Sequence, residues 1–155
     1  MVAAQLQASM LTRASSSMLR ERGERVSVVL MGPPGAGKGT QAKTVARLVH
    51  AAHVASGDMF RDLIKLDTEQ ARLIKSYMDH GELVPDSLTL DMVMTRLDEE
   101  DAHDGFILDG FPRTVSQARA LEARLAQTNR RIDCVITLAV PRDVLLARLS
   151  GRWLC

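Results

Sequence analysis

The residues best suited to chemistry are a lysine and several closely spaced glycines near the start of the sequence. GPPGAGKGT occupies 32–40 and follows the apolar run VSVVLM at 26–31. A glycine-rich turn between a strand and a helix lets backbone N–H groups converge on an anion, and Lys38 adds a full positive charge. The pattern therefore predicts a phosphate cradle. It fits the P-loop spacing, except that Gly39 stands between Lys38 and Thr40.

A second candidate site follows another apolar run at 106–108. The run delivers Asp109 to the end of a predicted strand, where a carboxylate can hold the waters of a phosphate-bound Mg²⁺. Arg113 follows closely, and its guanidinium suits bidentate binding of a phosphate. The alternative is that Asp109 and Gly110 form an ordinary turn, in which Asp-Gly is common.

Three further arginines are weaker candidates. Arg61 lies one helical turn past a predicted strand at 53–56, where a solvated helix arginine is the simpler interpretation. Arg148 and Arg152 are four residues apart and share a face if the last helix extends that far. Without neighbouring motifs, we favour the interpretation that they are solvated arginines near a helix C-terminus.

Hydrophobic periodicity and turn residues predict the elements that position these side chains. The predicted strands are 26–31, 53–56, 106–108 and 134–140. The predicted helices are 41–50, 57–66, 69–80, 85–97, 114–127 and 141–149, with Asp58 as the expected cap of the second helix and Gly81 as the end of the third. Strands that alternate with helices predict a parallel α/β sheet, with ligands at the carboxyl ends of the strands.

Bulk properties set limits on the class of protein. A chain of 155 residues suits one domain, and a net charge of +1 gives no reason to expect a broad nucleic-acid or membrane surface. Two cysteines, Cys134 and Cys155, favour a reducing compartment over a disulfide scaffold. We expect Cys134 to lie in the core. The four histidines lack ligand-like spacing and are expected at surface or packing positions; they are His50, His53, His80 and His103.

Residues 1–25 precede the first strand and are rich in arginine and serine, with no acidic residue before Glu21. This composition is typical of an organelle transit peptide. The alternatives are a disordered extension or an upstream start codon, with Met18 as another possible start. We favour these because the apolar periodicity of the segment is weak.

Taken together, the motifs resemble those of adenylate kinases in order and approximate spacing. They are GPPGAGKGTQ at 32–41, SGDMFR at 56–61, GELVPD at 81–86, DGFPRT at 109–114 with Gln117, and RLSGRW at 148–153. The resemblance covers 26–155. It implies a three-layer P-loop NTPase fold, in which helices flank a parallel central sheet, and an AMP-binding helical insert at about 56–85.

The resemblance also implies the reaction, in which MgATP and AMP are converted reversibly to two ADP, and a role for each motif residue. Phosphoryl transfer would involve Lys38, Asp109, Arg113 and Arg148, with Asp109 organising the Mg²⁺ waters. The ATP phosphates would be held by Gly35, Ala36, Gly37, Lys38, Gly39, Thr40, Arg148 and Arg152. AMP would be bound by Ser56, Gly57, Arg61, Glu82, Leu83, Val84, Gly110, Phe111, Pro112, Arg113 and Gln117, with Gln117 reading the adenine.

The resemblance further implies a lid that begins at about residue 150, a last strand and C-terminal helices. The expectation from the sequence is that these are missing and that the chain is weakly active or inactive. Cys155 falls where many bacterial members place the first cysteine of a four-ligand zinc site. One ligand is too few, so we expect no metal on this chain, with zinc only in a full-length version.

Other interpretations stay open at this point. One is a nucleoside monophosphate kinase with another donor or acceptor, such as a GTP:AMP or UMP/CMP kinase. Another is a non-catalytic nucleotide-binding fragment. The expected partners are ATP, AMP and ADP, with no nucleic acid and no membrane, and the chain is expected to be a monomer. A cytoplasmic location is expected, or a mitochondrial or plastid one if residues 1–25 are a transit peptide.

Overall fold

The computed structural model describes residues 25–82 and 84–150, which form a parallel sheet covered by helices. The strands are β1 (Val26–Met31), β2 (Ala52–Ala55), β3 (Gly105–Asp109) and β4 (Cys134–Thr137). The helices are α1 (Lys38–Val49), α2 (Ser56–Leu63), α3 (Glu69–Asp79), α4 (Asp86–Leu97), α5 (Val115–Gln127) and α6 (Arg142–Ser150), with a 3₁₀ turn at Glu100–Ala102. This confirms the predicted α/β class and P-loop NTPase arrangement. No helix within these ranges is long and apolar enough to cross a membrane.

The order of the strands explains why distant motifs meet. The sheet runs β2-β3-β1-β4 with all pairs parallel, so β3 lies between the first two strands of the sequence. In this register Asp109 is opposite Leu30 on one side and Ala55 on the other. The loops that follow β1, β2 and β3 therefore leave the sheet at one edge, which is where ligands bind in such folds.

Alternating side chains of the central strands pack against helices on opposite faces. On one face, Val29, Phe106 and Leu108 join a buried cluster with α4 and α5. On the other face, Val28 and Ile107 join a smaller cluster with α1. Burial on both faces explains why β1 and β3 are continuous apolar runs rather than alternating ones.

Helices α2 and α3 have their own small core. Phe60, Ile74 and Val84 are buried together, from α2, α3 and the segment before α4. Thr68 caps α3, its Oγ1 accepting from Ala71 N at 3.1 Å. This cluster holds the 56–85 region as a helical layer that begins directly at the end of β2.

Several predicted boundaries differ from the structure. Helix α1 begins at Lys38 rather than residue 41, because Gly37 adopts a left-handed conformation and starts the helix at once. The prediction that Asp58 caps α2 is wrong, because strand β2 passes directly into the helix and Ala55 takes the cap position. Asp58 instead lies in the first turn of α2 and pairs with Arg61. Gly81 does follow α3, with φ of 70°.

The prediction of a core position for Cys134 is wrong. Strand β4 has a single described neighbour, β1, and all four of its residues are exposed. The strand is also shorter than predicted, since it ends at Thr137. An apolar run alone could not distinguish this lateral strand from a central one. The thiol of Cys134 is free and exposed.

A half-buried arginine, Arg130, lies beneath β3. Arg130 donates to Leu97 O at 2.7 Å and to Ala102 O at 2.9 Å, and its guanidinium lies 5.1 Å from the centre of the Phe106 ring. The Leu97 carbonyl lies at the end of α4, where backbone acceptors lack helical partners. Burial lowers the pKa of Arg130, although the group stays charged because arginine titrates far above neutrality.

We predict that Gly105→Ala strongly destabilises the fold. Gly105 has φ of 126°, and an added Cβ would overlap the carbonyl oxygen of Val26 and lie 2.9 Å from its nitrogen. Because Gly105 is paired with Val26 in the sheet, neither backbone can move away without breaking the register. We expect a loss of about 3–5 kcal/mol in the free energy of unfolding, measured by urea denaturation.

The matched control is Gly81→Ala. Gly81 also has a positive φ, 70°, but an added Cβ there meets no atom within 4 Å. Its expected cost is about 1–2 kcal/mol, from backbone conformation alone. Equal losses for the two variants would contradict the close approach of β3 to β1 at Gly105.

Candidate active site

The glycine-rich loop after β1 presents an open helix N-terminus. Gly37 starts α1 without a side-chain cap, and the first turn of α1 contains no acidic residue. The amide of Ala36 is used within the loop, donating to Pro33 O at 3.2 Å. An uncapped N-terminus leaves backbone donors and partial positive charge for an anion. Of the other loop positions, Gly35 has φ of 80° and Thr40 is exposed.

Lys38 folds back over this loop. Its Nζ donates to Gly32 O at 2.9 Å and to Pro33 O at 3.1 Å. An ammonium that donates to two carbonyls is held in position, and phosphate oxygens can replace those carbonyls as acceptors. The lysine is therefore already at the mouth of the loop where outer phosphates would lie.

Asp109 connects the loop to the end of β3. Its Oδ2 lies 3.3 Å from where a Cβ on Gly39 would be, so a side chain at position 39 would press on the carboxylate. The glycine between Lys38 and Thr40 avoids this tight contact. A carboxylate beside the first turn of a phosphate-binding helix fits a Mg²⁺ held through water, which needs one protein carboxylate rather than a cage. The described residues contain no group of three or more metal-ligating side chains.

Helix α6 brings Arg148 to the loop from the other side. Arg148 Nη1 donates to Gly35 O at 3.2 Å. An added Cβ on Gly35 would lie 3.2 Å from Leu149 Cγ, so α6 packs directly on the loop. Lys38 and Arg148 therefore both donate to carbonyls of the same loop. Arg152 and Cys155 lie outside the described residues.

The backbone of Gly110 is the centre of a second cluster. Ser56 Oγ donates to Gly110 O at 3.0 Å, and Arg113 Nε donates to the same oxygen at 2.6 Å. Ser56 is buried, whereas Arg113 is exposed. Arg61 lies nearby, since its Nη1 is 3.4 Å from where a Cβ on Gly57 would be. The structure thus brings Ser56 and Arg113 together at Gly110 O and places Arg61 beside Gly57, the residue after Ser56.

The remaining predicted residues are placed as follows. Phe111 is buried in the core, and Pro112 is partly exposed. Glu82 is exposed and its N donates to Tyr77 O at 2.9 Å, while Val84 is buried and its O accepts from Thr89 Oγ1 at 3.4 Å. Leu83 lies outside the described residues. Gln117 is buried, and its side-chain amide bonds to Asp86 Oδ1 at 2.7 Å and to Arg113 N at 2.7 Å.

Two residues near the site were missed by sequence reasoning. His53 Nε2 lies 3.7 Å from Asp109 Oδ2 and is buried without a hydrogen-bond partner among the described residues. Asp86 contacts Gln117 across 31 positions of sequence. Spacing could not reveal either contact, because each joins two elements that only the strand order brings together. The GELVPD motif was the one indication for Asp86, and it was interpreted through its backbone and not its carboxylate.

Comparisons with known proteins identify the family. A family model described as "Adenylate kinase" matches residues 30–152. The chain is 52% identical over 130 residues to an adenylate kinase of Listeria monocytogenes, 51% to one of Listeria innocua and 50% to one of Staphylococcus aureus. Each match covers 84% of this chain and 60% of the relative's length. The chain belongs to the adenylate kinase family.

Proposed function

We propose that these residues catalyse reversible phosphoryl transfer from MgATP to AMP, giving two ADP. The relatives are named adenylate kinases, and the chain spans about 60% of their length. The main support is the Asp109-Gly110 step. Its first residue carries a carboxylate beside Gly39 of the loop, and its second offers the carbonyl that Ser56 and Arg113 share. Two phosphate-binding clusters therefore meet at one dipeptide.

In this proposal the loop and α6 form the donor half. Lys38, Arg148 and the free N–H groups of α1 bind the outer phosphates of ATP. Thr40 is exposed in the first turn of α1 and is proposed to bind the same phosphates. The other loop residues in this phosphate-binding set are Gly35, Ala36, Gly37 and Gly39. Asp109 would hold Mg²⁺ through water, and the ion, when bound, neutralises phosphate charge.

The acceptor half is formed by Arg61 and Arg113, which bind the AMP phosphate, with Ser56 and Gly57 beside it. Gln117 reads the base. The 56–85 segment serves as the AMP-binding layer, with the backbone of 82–84, Gly110, Phe111 and Pro112 completing its walls. In the reaction, the bond between the γ-phosphorus and the β–γ bridging oxygen breaks, and a new bond forms to a phosphate oxygen of AMP. No protein nucleophile is needed, because the acceptor is already an anion.

The catalytic contribution of these groups is electrostatic and positional. Two polyanions repel each other, and cations on both sides offset that repulsion while holding the reacting oxygens in line. In the structure each cation has a weak internal partner. Arg61 pairs with exposed Asp58, Lys38 with loop carbonyls and Arg113 with Gly110 O. The exposed Arg61–Asp58 pair is worth at most about 1 kcal/mol, so a phosphate can readily replace Asp58 as the partner of Arg61.

We also propose a cytoplasmic monomer that acts on small nucleotides. Support comes from the bacterial relatives and from the near-neutral charge of +1, which offers no broad surface for nucleic acid.

We predict that Lys38→Met weakens MgATP binding by about 10- to 150-fold, as expected for loss of a hydrogen bond to a charged group. Isothermal titration calorimetry measures the dissociation constant. Lys43→Met, on the exposed face of the same helix, is the control and should leave it unchanged. An equal effect of both variants would show that Lys38 acts through helix stability and not through phosphate.

We predict that Arg113→Lys, unlike Lys38→Met, weakens the binding of AMP and not that of MgATP. Lysine keeps the charge but not the planar fork, so AMP binding should weaken about tenfold while MgATP binding stays the same. Arg119→Lys, an exposed position on α5, is the matched control. The division into donor and acceptor halves would be refuted if Arg113→Lys impaired ATP binding as strongly as AMP binding.

The reaction itself is tested by measuring ADP formed by the 155-residue chain from ATP and AMP together. We expect ADP only when both nucleotides and Mg²⁺ are present, and none with Lys38→Met. The expectation of weak turnover stays a prediction of this assay, and a rate of about 1–100 s⁻¹ would contradict it. Binding of both nucleotides with no ADP at all would favour the non-catalytic alternative.

A further inference from the structure

The side-chain amide of Gln117 is held at both ends by protein groups. Gln117 is 3% exposed. Its Oε1 accepts from Arg113 N at 2.7 Å, and its Nε2 donates to Asp86 Oδ1 at 2.7 Å. Since water has little access, these two partners decide which way the amide faces.

Each partner accepts only one orientation of the amide. A backbone N–H can only donate, so the atom that faces Arg113 N must be the amide oxygen. A carboxylate can only accept, so the atom that faces Asp86 must be the amide nitrogen. A rotation by 180° would set donor against donor and acceptor against acceptor. The amide is therefore locked.

The carboxylate at position 86 satisfies a second donor at the same time. Thr114 Oγ1 donates to Asp86 Oδ2 at 3.2 Å, and it also accepts from Gln117 N at 3.1 Å as the cap of α5. Two donors converge on Asp86, one for each oxygen. An asparagine offers one oxygen and one NH₂, so it cannot accept both bonds while keeping the same arrangement.

The locked amide keeps one donor and one acceptor free. A glutamine has two N–H donors and two oxygen lone pairs, and the contacts above use one of each. Adenine presents an N6–H donor beside an N1 acceptor, which one free acceptor and one free donor can match. Hypoxanthine presents the reverse, an O6 acceptor beside an N1–H donor, which a flipped amide would match.

We propose that Asp86 is a positioning residue that sets base selectivity, because it locks the amide of Gln117 in the orientation that matches adenine. This rests on the proposed function, in which Gln117 reads the base of AMP. Asp86 touches no nucleotide in this scheme. It acts through Gln117, and its removal should change which base is accepted more than it changes phosphate binding.

A purely structural role for Asp86 is the competing explanation. Asp86 is the first residue of α4 and Thr114 precedes α5, so their contact also ties two helices together. The chain contains a matched control for that role. Asp91 and Arg124 join the same two helices through an exposed pair at 3.5 Å, with no contact to Gln117.

The test compares AMP and inosine monophosphate, which differ only at the base edge that Gln117 would read. Calorimetric titrations of the 155-residue chain give dissociation constants for both nucleotides with wild type, Asp86→Asn and Asp91→Asn. We expect wild type to prefer AMP. Asp86→Asn should reduce the ratio of the two dissociation constants by about 5- to 150-fold, which is the range over which a bidentate contact discriminates between bases. Asp91→Asn should leave the preference unchanged.

The other outcomes would overturn the proposal in distinguishable ways. If Asp86→Asn weakens the binding of both nucleotides by the same factor, Asp86 has only a structural role, and only this inference fails. If wild type binds AMP and inosine monophosphate equally, Gln117 does not read the base in a fixed orientation. If wild type binds neither, the proposed acceptor half fails and this inference fails with it.

A second measurement on the wild-type chain avoids the possibility that Asp86→Asn does not fold. Nuclear Overhauser contacts between the Gln117 amide protons and the side chains of Asp86 and Thr114 report the orientation directly. We expect these contacts in the free chain and in the AMP complex. Their loss on addition of AMP would show that the amide turns to bind, and would overturn the lock.

Discussion

The position of β3 between β1 and β2 is the constraint on which the site depends. Because both neighbours are parallel to β3, the loops after all three strands leave at one edge, and Asp109 stands opposite Leu30 and Ala55. A carboxylate at that point is within reach of the first turn of α1, and the next residue is within reach of the first turn of α2. Apolar burial on both faces keeps β1 and β3 in the interior of the sheet, so the loops that follow them stay next to each other.

At a few positions, glycine allows two groups to lie closer together than a side chain would permit. Gly105 permits β3 to lie against Val26, and Gly39 leaves space for the Asp109 carboxylate. The cations of the site then supply positive charge at this edge of the sheet. Their partners within the protein are backbone carbonyls and one exposed carboxylate. These partners hold the cations in place, and no buried carboxylate in the described part of the chain cancels their charge. This arrangement supports the proposed phosphate sites, because phosphate oxygens can replace these partners as acceptors.

The sequence was most informative where chemistry and local structure coincide. The strand, loop and helix around Lys38 could be predicted because glycine spacing and apolar runs are local signals. The meeting of Asp109 with Gly39 followed from the rule that parallel strands share an edge. The exposure of Cys134 could not be predicted, because an apolar run does not say how many neighbours a strand has. His53 and Asp86 were missed because their partners are distant in sequence and chosen by the strand order.

We propose that two separate phosphate sites meet at Asp109-Gly110. Titration of AMP into the 155-residue chain, first saturated with a non-hydrolysable MgATP analogue, tests it most directly. Calorimetry should show one AMP bound per chain, and fluorine or phosphorus NMR of the analogue should show that it stays bound. Release of the analogue in proportion to the AMP bound would mean one shared site, and would contradict the account.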